Sequence, residues 1–204
     1  MRTSSHKTAV KILASVVLVG GAASVAGLGT FGSFSDTTAA DQSVATGKVD
    51  LGLTQHASAG TTVAAVDLVP GDTVQRSVTL TRSSDTEKFG SVLLTTTAGT
   101  QNVLATDATN GLQLRVDQCS VAWVKNADGS LTCGGTTTGI VASRAVVGSA
   151  LDLGAATTTM NSSAAASNLR LTLTLPTSAG NTFQGLANTI TFTFDATQRT
   201  AEYR

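Results

Sequence analysis

Histidine, cysteine and charge are scarce in this chain, and each shortage closes off a class of function. Only two histidines, His6 and His56, stand in 204 residues. His6 falls in the N-terminal leader described below, so no Ser/His/Asp or Cys/His set can be assembled from local spacing. No His-Glu-x-x-His run, the two-histidine helix turn of zinc peptidases, is present. No glycine-rich loop joins a strand to a helix to cradle phosphate; Gly134-Gly135 follows a cysteine in a Thr-rich stretch. Charged residues are only 13% of the chain, 13 basic and 13 acidic. With no basic run and no aromatic-basic stripe, nucleic acid is excluded as a partner. Asp36 and Asp41 lack the Asp-rich spacing of a calcium loop and read as solvated. His56, between Gln55 and Ala57, reads as an exposed loop position. The chain is therefore expected to be no enzyme, with no catalytic residue, no cofactor and no metal ligand.

What is present begins with an export signal. Arg2, Lys7 and Lys11 form a basic start, no acid precedes Asp36, and 12–26 is an apolar region rich in Ala, Val and Gly. Four glycines and an apolar core shorter than roughly 20 residues argue against a permanent span. A leader helix over 1–32 is expected, with no stable membrane anchor after cleavage. Ser24-Val25-Ala26 and Thr30-Phe31-Gly32 both satisfy the small-residue rule, which leaves cleavage open between Ala26 and Gly32. Cleavage at Gly32–Ser33 would leave 33–204 with 10 basic and 13 acidic residues, a net charge of −3. The C-terminal Ala201-Glu202-Tyr203-Arg204 is polar, and no covalent or C-terminal anchoring is expected.

Cys119 and Cys133 are the only cysteines. In an exported chain, an even pair at this spacing reads as a disulfide. Zinc would need two further ligands.

The rest reads as strands. Val49, Leu51 and Leu53 alternate with polar or small residues, as do Val74, Val78 and Leu80, which share a face with the stem of Arg76. The same holds for Leu112, Leu114 and Val116, for Leu169, Leu171, Leu173 and Leu175, and for Ile190, Phe192 and Phe194. This period of two puts one set in a core and the other, rich in Thr and with Arg115 and Asp117, toward water. Weaker strands are predicted at Val92–Leu94, Val121–Val124 and Ile140–Val147. Pro70-Gly71-Asp72, Asn126-Ala127-Asp128-Gly129 and Thr177–Asn181 supply turns. Ala150–Ser167 reads as a long loop with one short helix. Trp123, beside the first cysteine, reads as core packing. Many antiparallel strands with short turns imply an all-β antiparallel sandwich or jelly roll, a single domain over 33–204.

Four stretches carry a resemblance. Gly29-Thr30-Phe31-Gly32-Ser33-Phe34-Ser35-Asp36-Thr37 resembles the signal ending of SipW-type signal peptidase substrates. Ala45–Leu51 is similar to the first strand, and Leu68-Val69-Pro70-Gly71-Asp72-Thr73-Val74 to the Pro-Gly-Asp turn, of the TasA/camelysin (CalY) family. Asn181–Gly185 followed by Ile190–Gln198 resembles that family's C-terminal turn and last strand. The chain departs from the pattern at Thr81-Arg82-Ser83-Ser84, where an Asn and Gly turn usually stands, and in its cysteine pair.

The resemblance implies cleavage between Gly32 and Ser33 by a dedicated signal peptidase. It implies a jelly-roll domain in the extracellular matrix or at the cell surface, building biofilm-matrix fibres from copies of itself, alone or with other matrix proteins. Residues 33–48 are the candidate donor segment, with Ser33, Phe34, Ser35 and Asp36 as assembly residues and Phe34 as anchor, provided the segment is not paired within its own subunit. Backbone pairing of such a segment with a neighbour's sheet edge would propagate head to tail. Two other expectations compete: a monomeric surface sandwich that binds glycan or protein, and, with less support, a camelysin-like metallopeptidase.

Overall fold

The computed structural model describes residues 35–38, 51–55 and 62–200, the first two stretches as backbone strands. The leader over 1–32, Ser33, Phe34, Asp41 and His56 lie outside the described residues. In chain order the strands are β1 (Ser35–Thr38), β2 (Leu51–Gln55), β3 (Thr62–Ala65), β4 (Thr73–Arg82), β5 (Phe89–Ala98) and β6 (Gln113–Cys119). They continue with β7 (Trp123–Lys125), β8 (Leu131–Cys133), β9 (Thr137–Ala145), β10 (Gly148–Asp152), β11 (Ala166–Thr174) and β12 (Asn188–Gln198). Two short helices, α1 (Val103–Thr106) and α2 (Gly154–Met160), lie among them.

Two five-stranded sheets form a sandwich. One runs β12-β5-β10, with β1 and β3 both on the outer edge of β12; the other runs β2-β4-β11-β6-β9. Consecutive strands from β3 to β6 alternate between the sheets, and so do β9 to β12. The first strand of this series, β3, pairs with the last, β12. That is jelly-roll connectivity, and all described ladders are antiparallel. Strand β7 pairs with β8 as a separate hairpin.

The core follows from the period of two. Leu169, Leu171 and Leu173 of β11 and Leu114 and Val116 of β6 share one buried cluster with Val92 and Leu94 of β5 and Ile190, Phe192 and Phe194 of β12. Each such side chain contributes about 1.5–3 kcal/mol when fully buried. The Pro70-Gly71-Asp72 turn ties the β3–β4 connection to the end of β11. Gly71 adopts φ +100°, and its N–H donates to the Leu175 carbonyl, while Leu175 N–H donates to Asp72 O. A Cβ at that φ would strain the backbone.

Three elements differ from the sequence expectation. Strand β5 is a ten-residue central strand, not a weak one around Val92–Leu94. Its inward face carries Thr96 where an apolar residue would complete the alternation. Thr96 is 1% exposed, and its hydroxyl donates to the Val146 carbonyl where the chain crosses between sheets. The stretch expected as a long loop with one short helix holds that helix but less loop: β10 reaches Asp152, α2 spans Gly154–Met160, and β11 starts at Ala166. The expected short helix is α2, and Ala156 and Met160, with Leu153 just before it, bury one side of it in the core. The weak strands shift to Trp123–Lys125 and Thr137–Ala145.

Replacing Phe194, fully buried on β12, with Ala should lower unfolding stability by about 3–5 kcal/mol. Thr193→Ala beside it, half-buried on the other face, should cost under about 1 kcal/mol. Paired urea melts measure both.

Candidate assembly site

The outer edge of β12 is completed by two separate pieces of the N-terminal region. Strand β3 covers one half, Thr62 opposite Thr191 and Ala65 opposite Asn188. Strand β1 covers the other, Ser35 opposite Thr197, Asp36 opposite Ala196, Thr37 opposite Asp195 and Thr38 opposite Phe194. Both run antiparallel to β12, so β1 and β3 follow each other along one line. The chain between them leaves for the second sheet, where β2 pairs with β4. The segment read from sequence as a free donor is thus paired, over Ser35–Thr38, with its own subunit. Backbone geometry explains the match: β12 is eleven residues long, and β3 supplies only four partners.

A second cluster lies on the outer face of the other sheet. Cys119 and Cys133 form a disulfide with a Cα–Cα distance of 5.8 Å, which holds the β7–β8 hairpin against β6. Trp123 and Leu131 are buried with Cys119. The Trp123 indole N–H donates to Asn168 O at 3.1 Å, and Arg170 stacks over the ring at 4.3 Å. Beneath the hairpin, Asp117 is 0% exposed. It accepts from Arg115 Nε at 2.9 Å and from Arg170 Nη2 at 2.8 Å. Sequence alternation placed Asp117 toward water. It does face outward, but the hairpin covers it, and a buried carboxylate must then be paired. The hairpin tip turns through Gly129 at φ +86°. The Asp128 carboxyl accepts from the Ser130 hydroxyl and N–H, which hold it below the usual carboxylate range. Between this tip and β4 lies a groove of about 350 Å³ lined by Thr73, Gln75, Arg76, Lys125, Asp128 and Ser130 among others.

The Pro-Gly-Asp turn and the last strand are two of the stretches in which the sequence resembles the TasA/camelysin family. Residues 6–203 match the family described as camelysin metallo-endopeptidase. The chain belongs to this family. No curated protein and no solved structure matched it.

The family's description implies a metal, and the described residues do not fit one. Among them, no three of His, Cys, Asp or Glu stand together to hold an ion. Both thiols are consumed in the disulfide, and Asp117 is held by two guanidinium groups. The Gly32–Ser33 cleavage point and Phe34 lie outside the described residues, while Ser35 and Asp36 fall in β1.

The loop closed by the disulfide spans a sequence separation of 14, for which the chain-entropy model gives about 3 kcal/mol. Replacing both cysteines with Ser should lower stability by about that amount and leave the β-rich circular dichroism spectrum intact. Hydrogen exchange should accelerate in 123–133 before the strands of the core.

Proposed function

We propose that this member of the camelysin family is exported and serves as a structural subunit of an extracellular matrix fibre. In the fibre, a neighbouring copy's mature N-terminus takes the place that β1 occupies on β12. The observation that carries the reading is that β1 is a separate four-residue strand on an edge otherwise only half covered by β3. The same register can be offered by another copy, because the pairing groups on β12 are backbone groups. Exchange of an identical element is a low-cost route to association. The twelve residues 39–50 link β1 to β2 and reach roughly 40 Å when extended. Pairing with its own subunit is the arrangement open to a lone copy; exchange between copies leaves the number of strand pairs unchanged and adds a contact between subunits. Self, alone or with other matrix components, is the partner, and a dedicated signal peptidase acts during export. We propose no enzymatic role; chelator-sensitive cleavage of casein by purified protein would overturn that.

A second reading has one observation behind it. The polar groove between the hairpin tip and β4 presents two cations, a carboxylate and several hydroxyl and amide groups. A monomeric surface domain that binds glycan would use such a groove. Monomer at high concentration together with glycan affinity lost in Lys125→Ala would favour it.

Processing and assembly are tested separately. N-terminal sequencing of secreted protein should read Ser-Phe-Ser-Asp; a start at Gly27 would point to general signal peptidase. Deleting Ser33–Gln42 should leave a folded protein that forms no fibres by electron microscopy. Phe34→Ala should slow growth, since truncating a buried Phe costs roughly 3–5 kcal/mol. Fibres from the deletion variant indistinguishable from those of the parent would end the strand-exchange mechanism.

A further inference from the structure

The two sheets close their edges unequally. On the β5 side of the first sheet, β10 is short, its register breaks between Gly148 and Leu151, and Ala150 sits at φ 51°. Beyond β10, helix α2 and the residue after it take over the β5 edge. Val92 N–H donates to Thr157 Oγ1 at 3.0 Å, and Phe89 N–H to Asn161 Oδ1 at 2.8 Å. Bulges, left-handed residues and side-chain caps of this kind stop a sheet from recruiting another strand. The outer edge of β12 is covered by β3 and β1.

Strand β9 has, among the described residues, no left-handed residue and no side-chain cap, although its register against β6 shifts twice. It is the last strand of its sheet and, among the described residues, pairs with β6 alone. It is nine residues long, Thr137-Thr138-Gly139-Ile140-Val141-Ala142-Ser143-Arg144-Ala145, and six of these are exposed. It holds no proline, lysine or acid, and its one charge is Arg144 near the end. The two register breaks lie between Gly139 and Arg144, and pairing with β6 continues on either side of them. A β-branched, nearly uncharged outer edge of this length is the kind that natural sheets normally block.

Two exposed valines lie at its ends. Val121, 47% exposed, packs beside Gly135, where a Cβ would meet its side chain at 3.4 Å, two residues before β9. Val147, 39% exposed, stands two residues after it.

We propose that β9 is a self-association edge: two copies of this chain pair antiparallel through it about a two-fold axis near Val141, joining two sheets into one. Self-complementarity selects the second copy as occupant. In the antiparallel arrangement, the Thr137 end of one strand meets the Ala145 end of the other. Arg144 then falls opposite an uncharged threonine, Thr138 of the second copy, so no like charges face each other. The same arrangement brings Val121 of each copy toward Val147 of the other, burying both exposed side chains. A two-fold contact of this type is closed, unlike the head-to-tail exchange at β12. It would pair molecules, or whole fibres, side by side, and it does not depend on the N-terminal segment.

The test follows the edge itself, using the purified protein at rising concentration. Sedimentation should show reversible pairing, and hydrogen exchange should show amides in 137–145 becoming protected as pairing grows. Ala142→Lys, at an exposed position, should weaken pairing about tenfold or more and abolish the concentration-dependent protection. Its melting temperature at low concentration should match the parent and so exclude misfolding. Val121→Asp should also weaken pairing, and adding Val147→Lys in the same chain should restore it, because only the antiparallel arrangement sets those positions against each other. Absence of pairing at any concentration, protection in 137–145 that does not vary with concentration, pairing unaffected by Ala142→Lys, or failure of the charge pair to rescue would each overturn the proposal. Protection appearing instead in 51–55 would assign lateral contact to β2 and refute it equally.

Discussion

Backbone groups on the outer side of β12 need partners, and the architecture of the first sheet depends on how they get them. The strand is eleven residues long, and its apolar face supplies Ile190, Phe192 and Phe194 to the core. A strand so committed cannot retreat from its ladder, because an unpaired buried amide costs about as much as a lost hydrogen bond with its desolvation. On one side β5 answers along nearly the whole length. On the other, β3 answers for four residues and β1 for four more. The N-terminal region therefore returns twice to the same line, with an excursion to the second sheet between the two visits.

That division separates a part of the fold anchored in the core from the part proposed to exchange. Strand β3 runs by a short turn into β4, and its Val63 and Ala65 are buried in the core. Strand β1 is joined to β2 through residues 39–50 and completes an edge that any extended chain of suitable sequence could complete. The two kinds of edge then suggest two kinds of contact. In the proposed fibre, the β12 edge accepts a neighbour's N-terminal strand, and growth is open and directional. The β9 edge, with Arg144 as its one charge and exposed valines near its ends, is the one proposed for closed lateral pairing.

The disulfide hairpin solves a different problem. The outer face of the β6–β11 pair would otherwise present Asp117, Arg170 and Asn168 to solvent. The hairpin lays Trp123 and Leu131 over them and creates a small second core. Burial of Asp117 is offset by two charge-assisted hydrogen bonds, and the Arg170 guanidinium is shared between the carboxylate, the Leu131 carbonyl and the indole face. The cysteine bridge keeps this cover in place in a chain with few other large side chains to spare.

Several features were legible in the sequence because they depend on local pattern alone. The leucine alternation of β11 and the Ile-Phe-Phe alternation of β12 fixed their inward faces, since a pleated strand has a strict period of two. Pro70-Gly71-Asp72 announced its turn through a fixed φ and a glycine able to reach positive φ. Other features needed tertiary structure. The central position of β5 was hidden by Thr96, whose inward hydroxyl is tolerable only because the Val146 carbonyl meets it. The burial of Asp117 was hidden because alternation along β6 does not show that the hairpin just after it folds back over the outer face. The pairing of Ser35–Thr38 with β12 could not be read at all: its short polar sequence has no face to declare, and its place is set by the partner groups another strand leaves open. Sequence by itself determined which residues face inward and where the chain turns, because those are local preferences of the backbone and side chains. Only the tertiary structure decided which edges are closed and which remain open, because hydrogen bonding between strands belongs to backbone groups that every sequence shares.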